Sequence, residues 1–73
     1  MMEAKEAYKI ASDKFPLDFT SCFEVGNLYV FSSGGLNASY SVNKETGESK
    51  AFMPMRDCNL QEFITKKPVT DFR

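Results

Sequence analysis

Two cysteines, Cys22 and Cys58, are the first candidates for chemistry in this sequence. A thiol attacks as its thiolate and needs a base to activate it, and histidine, the usual base at neutral pH and the commonest metal ligand, is absent from the chain. Only lysines or carboxylates remain for that task. Neither cysteine has a second thiol near it in sequence, so neither a CxxC redox pair nor a cysteine-based zinc site can be written. Glu45 and Glu48 flank Thr46 and Gly47 in "SVNKETGESKAF", but a calcium site demands more oxygen ligands in a defined loop. Asp13, Asp18 and Asp57 are scattered, and no acid–base pair is legible. The expectation is a chain with no catalytic residue, no metal and no cofactor.

Consecutive serine hydroxyls and glycine amides form a second kind of site. Ser32, Ser33, Gly34 and Gly35 in "SSGGLN" offer donors for an anionic group such as a nucleotide phosphate. The plainer alternative, a permissive connection between two strands, is favoured because no Walker-type lysine follows and no helix begins there. Nucleic acid is an unfavoured partner. The formal net charge is -1, and Lys44, Lys50, Arg56, Lys66 and Lys67 form no contiguous basic run. Aromatics on strands, here Tyr29, Phe31 and Tyr40, are more often core or interface than base-stacking platforms. No apolar run approaches the roughly 20 residues that span a bilayer, and "MMEAKEAYKI" has neither a basic leader nor an apolar signal core, which points to the cytoplasm. In a reducing compartment the two thiols are expected to pack as small apolar groups rather than to bridge.

The elements that position these residues follow from periodicity. Hydrophobic residues make up 42% of the 73 positions, enough for one small core in a single domain, residues 1 to 73. Ala4, Ala7, Tyr8, Ile10 and Ala11 recur at spacings of three and four, predicting a helix from Glu3 to Lys14 that Pro16 closes. From Asp18 to Val25 the residues alternate, placing Phe19, Phe23 and Val25 toward the helix. Gly26 and Asn27 predict a two-residue hairpin turn of type II′. "LYVFSS" is apolar on both faces through Leu28, Tyr29, Val30 and Phe31, as in a central strand or one whose second face meets another molecule. After a loop at 32 to 35, a third strand runs from Leu36 to Val42, and Gly47 takes the left-handed position of the next hairpin. The fourth strand, Glu48 to Met53, is ended or confined to an edge by Pro54. Asn59 and Glu62 resemble a capping box for a short helix with Leu60, Phe63 and Ile64 on one face. Residues 69 to 73 are read as a flexible tail unless Val69 or Phe72 docks.

"EAYKIASDKFP", followed by an aromatic strand and a Thr-Gly hairpin, resembles the PepSY-like domains of small bacterial and phage proteins. The matching residues are Ala7, Ile10, Ala11, Pro16, Tyr40, Val42, Thr46 and Gly47. The resemblance implies a helix on an antiparallel sheet and no functional residue. A protease-inhibitory role is attributed to the family, whose members are mostly exported, and a similar architecture occurs among cytoplasmic toxin-immunity proteins and phage-encoded inhibitors.

These readings converge on an α+β domain: an N-terminal helix packed on a four-stranded antiparallel sheet, with a short C-terminal helix or turn. The function expected is that of a small non-enzymatic binding protein, inhibitor-like or immunity-like, acting by surface contact with a protein partner or with a second copy as a homodimer. Tyr29, Phe31, Tyr40, Met53 and Met55 are its candidate contact residues. The alternative is a protein that sequesters a small anion through Ser32, Ser33, Gly34 and Gly35.

Overall fold

The chain folds as a helix, four strands, a short helix and a final strand: α1 (Ala4–Lys14), β1 (Phe19–Val25), β2 (Leu28–Ser33), β3 (Ser39–Asn43), β4 (Ser49–Phe52), α2 (Leu60–Ile64) and β5 (Lys67–Val69). The structure, a computed structural model, describes residues 2–33 and 39–73. One antiparallel sheet has the strand order β4-β3-β2-β1-β5. The class is the α+β arrangement expected, with five strands rather than four. The additional strand is β5, whose "KPV" has too few residues for any alternation to show. It pairs with β1 through Cys22 and Val69, and its Pro68 is tolerated because the strand is an edge.

Helix α1 lies across β2, β3 and β4, and its two fully buried residues are alanines, Ala7 and Ala11. Small side chains at this spacing let the helix axis approach the sheet closely. Phe15 takes the extended conformation that a following proline favours, and its amide still closes the last helical turn on the Ala11 carbonyl at 2.7 Å. Beneath α1 lie Phe19, Cys22, Tyr29, Phe31, Val42 and Phe72.

Phe23 and Val25 do not join them, contrary to the alternation read from sequence. Phe19 is opposite Ser33 and Ser21 is opposite Ser32, so β1 advances two residues where β2 advances one. Thr20 is the extra residue of a β-bulge, and it reverses the facing of everything that follows. Cys22 therefore points to α1, while Phe23 and Val25 point to the other side. There, with Leu28, Val30, Phe52, Cys58 and Phe63, they build a second apolar cluster. Ser32 and Ser33 belong to β2, as the strand read over "LYVFSS" has it, and not to the loop read over 32 to 35.

The turns are locally satisfied. Gly26 has φ +55 and Asn27 does not share a positive φ, the pattern of the expected type II′ hairpin. At the β3–β4 turn Asn43 Oδ1 accepts from the amides of Glu45 (2.8 Å) and Thr46 (3.0 Å), Thr46 Oγ1 accepts from Glu48 N, and Gly47 sits at φ +77. That turn reverses the chain with its own polar groups. The Lys44 side chain, buried, ties the two hairpin ends together: its ammonium donates to Glu24, lies 4.8 Å from the Tyr29 ring centroid, and its backbone amide bonds the Asn27 carbonyl.

Both conditions that would fix residues 69 to 73 are met. Val69 lies in β5, and Phe72 is buried with its ring 5.6 Å from those of Tyr8 and Phe31. Because Phe72 fills space between α1 and β2, Phe72→Ala should lower unfolding free energy by about 3 kcal/mol. Urea denaturation of wild type and variant measures this directly, and an unchanged midpoint would show that the tail contributes nothing.

Candidate functional site

The second face of the sheet is only partly covered, and what covers it is the segment from Met53 to Lys66. Its first turn is held by two bonds to the Met53 carbonyl, from Arg56 N at 3.2 Å and Asp57 N at 3.0 Å. Pro54 supplies the fixed φ, and Met55 follows with φ +69. A positive φ after proline is the type II pattern, where glycine is usual. Placing a side chain there costs roughly 1–2 kcal/mol.

The turn aims Arg56 and Asp57 back at β4. Arg56 Nη2 donates to Asp57 Oδ2 at 2.7 Å and to the Ala51 carbonyl at 2.9 Å, while Asp57 Oδ2 accepts from Met53 N at 2.8 Å. The Arg56 hydrogen bond first, and the Met53 amide second, hold the Asp57 carboxyl below its ordinary range. Asn59 and Glu62 then form the expected reciprocal cap of α2, with Asn59 Oδ1 accepting from Glu62 N at 2.8 Å and Glu62 Oε1 accepting from Asn59 N at 3.1 Å.

Helix α2 does not present all three of its apolar side chains to the sheet. Phe63 packs inward with Val25, Val30 and Phe52. Leu60 and Ile64, one turn apart, stand outward at 60% and 65% exposure. Met53 and Met55 are 56% and 53% exposed, and these four are the exposed large hydrophobics among the described residues. All fall between Met53 and Ile64. Where the segment meets the hairpin ends is a cavity of about 240 Å³ whose lining includes Val25, Leu28, Asn43, Lys50, Cys58 and Glu62. That is smaller than the ~300–1,000 Å³ usual for small-molecule sites, so it suits a single side chain better than a nucleotide.

The five contact residues expected from sequence divide. Tyr29 and Phe31 are buried beneath α1, the Tyr29 hydroxyl donating to the Met2 carbonyl at 3.2 Å. Tyr40 is half-buried and stacks on Phe15 with ring centroids 4.1 Å apart. Met53 and Met55 are at the surface. None of the seven Phe and three Tyr of the chain is exposed. The sequence places Leu60, Phe63 and Ile64 on one face of α2; the signal that separates Phe63 from the other two is that only one stripe of so short a helix can meet the sheet.

Of the anion-site candidates, Ser32 shares a side-chain hydrogen bond of 3.0 Å with Ser39 across β2 and β3, and Ser33 is buried at the end of β2. Gly34 and Gly35 lie outside the described residues. Among the described residues, no three His, Cys, Asp or Glu side chains come together to hold a metal ion, and no helix is long and apolar enough to cross a membrane. The cysteines are free, Cys22 under α1 and Cys58 on the opposite side of the sheet. Burial, with Glu24 adding to it, pushes the Cys22 thiol up to about 12. Comparison with protein-family models, curated proteins and solved structures returned no match for this chain.

Two measurements follow from this geometry. A disulfide reagent such as DTNB at pH 8 should modify Cys58 in the folded protein and Cys22 only after denaturation; rapid reaction of both thiols would place Cys22 outside the core. Because folding lowers the Asp57 pKa, the Arg56–Asp57 contribution is complete above the unfolded carboxyl value of about 3.9 and is lost as pH falls through the lower folded value. The Met53 amide resonance should therefore hold its position down to about pH 4 and move below it. Asp57→Asn should remove that movement.

Proposed function

We propose that this chain is a small non-enzymatic binding protein that acts by surface contact with a partner protein, as inhibitor and immunity proteins do. The contact surface in this reading is Met53, Met55, Leu60 and Ile64. One observation carries it: the exposed large hydrophobics of the described chain are gathered in a single segment while no aromatic side chain is exposed. Scattered apolar residues on a surface need no explanation, whereas a gathering of them marks an interaction site. Unbranched methionines also adapt to the shape of what they meet. The non-enzymatic part of the reading is supported by the missing histidine and by a Cys22 thiol held protonated at neutral pH. Free thiols on opposite faces of the sheet fit a reducing, cytoplasmic setting.

The test compares wild type with a Leu60→Glu, Ile64→Glu double variant. Both side chains are more than half exposed, so the variant should keep the wild-type circular dichroism spectrum and melt within a few degrees of it. Chemical crosslinking in the source cell should yield a discrete heteromeric adduct for wild type and lose it for the variant. An adduct retained at full strength by the folded variant would remove this surface from consideration, and an adduct between two copies of the chain would replace the heterologous partner with self-association.

A further inference from the structure

Strand β4 is the outer strand beside β3, and its backbone polarity can be followed residue by residue. Asn43 N donates to Glu48 O at 2.9 Å, which makes that pair a bonded one. Antiparallel pairs alternate, so Ser41–Lys50 and Ser39–Phe52 are bonded, and Ser49 and Ala51, opposite Val42 and Tyr40, turn their N–H and C=O groups away from the sheet. Both outward carbonyls are engaged by cations: Lys14 Nζ donates to Ser49 O and Arg56 Nη2 to Ala51 O. Between them in sequence, on the face away from α1, is Lys50. Three cations thus border four residues of edge. The acids lining the same cavity as Lys50 are Glu48, exposed just before the strand, Asp57, which is committed to Arg56 and the Met53 amide, and Glu62, which is committed to the cap of α2.

This arrangement discriminates between incoming strands. A second copy adding antiparallel about a two-fold axis at Ser49 would face Lys50 with only the single Glu48 of the copy, and about an axis at Lys50 it would set that lysine against itself, like charges directly opposite being unfavourable. A strand carrying a carboxylate at that position would find an attractive partner instead. Lys14 and Arg56 are exposed on long flexible stems, so both can leave the two carbonyls to an incoming backbone; Lys14 can then pair with an acidic side chain flanking it, while Arg56 stays with Asp57. Met53 directly follows β4, which makes the edge continuous with the apolar surface of the 53–64 segment.

We propose that the outer edge of β4 is an addition site for an extended acidic segment of the partner protein, its backbone pairing with Ser49 and Ala51 and its carboxylates with Lys50 and Lys14. The assignment rests on the binding-protein reading and names the kind of segment that the partner supplies. A capped eight-residue peptide alternating threonine and glutamate is the probe, and the same peptide with lysine for glutamate is its control. Titration into labelled protein should move the Ser49 and Ala51 amide resonances, slow their hydrogen exchange, and saturate roughly tenfold more tightly for the glutamate peptide at low salt. Lys50→Glu should reverse the preference. Ala51→Pro removes an outward N–H and no β3–β4 bond, and should abolish the response.

Equal binding of both peptides, shifts confined to other residues, no response at millimolar peptide, or undiminished binding by a folded Ala51→Pro variant would each overturn the assignment. So would self-association of the peptide-free chain that protects Ser49 and Ala51. A silent edge together with loss of the crosslinked adduct in the Leu60→Glu, Ile64→Glu variant would leave the binding-protein reading standing and remove only the acidic strand.

Discussion

One inserted residue sets the plan of this molecule. The bulge at Thr20 moves β1 out of phase with its own sequence, so a strand that begins by facing Phe19 toward α1 ends by facing Phe23 and Val25 away from it. Without that step Phe19, Phe23 and Val25 would all compete for the space beneath one helix, and Cys22 and Glu24 would lie on the far side. With it, Glu24 comes to the α1 side, where it meets Lys44 and lets a buried lysine join the two hairpin ends. A buried ammonium is costly without a partner, so the Lys44 clamp is a consequence of the bulge as much as the second core is.

A sheet with apolar groups on both sides needs two covers, and a short chain has little to make them from. Helix α1 covers β2 to β4 on one side. Phe72 returns after β5 to fill the space that α1 leaves over β2, in contact with Tyr8. On the other side the covering is thin: Phe63 is the inward residue of a five-residue helix whose Leu60 and Ile64 face solvent. Lys66 helps by laying its ammonium over the Phe63 ring at 4.2 Å and the Phe23 ring at 5.6 Å. The apolar surface between Met53 and Ile64 is therefore the outer side of a cover that has no further layer of this chain's described residues above it.

The legible parts of the sequence were those with local causes. The spacing of Ala7 and Ala11, the proline after Phe15, the Gly26-Asn27 pair and the Asn59–Glu62 cap each act within a few residues, and each is where expected. Parity was not legible past Thr20, because a bulge is decided by the register of two strands and leaves strict alternation in the sequence of one. The same limit moved Tyr29 and Phe31 from surface to core. Their strand reads as apolar on both sides, and nothing in it says that α1 takes one side and the C-terminal segment the other. β5 was invisible for a different reason, since three residues containing a proline become a strand only through the edge of β1.

The turn from Met53 to Asp57 joins these themes. It ends β4, places Arg56 on an outward carbonyl of that strand, fixes Asp57 on the Met53 amide, and does so through Met55 in a conformation that glycine would adopt with less strain. For closing a strand the strain has no benefit, because a glycine at 55 would allow the same backbone and the same two side-chain contacts. What a glycine would not provide is a long apolar side chain at the surface next to Met53. The energetic cost of the turn thus goes with a long apolar side chain displayed beside Met53, on the surface that the proposed function uses.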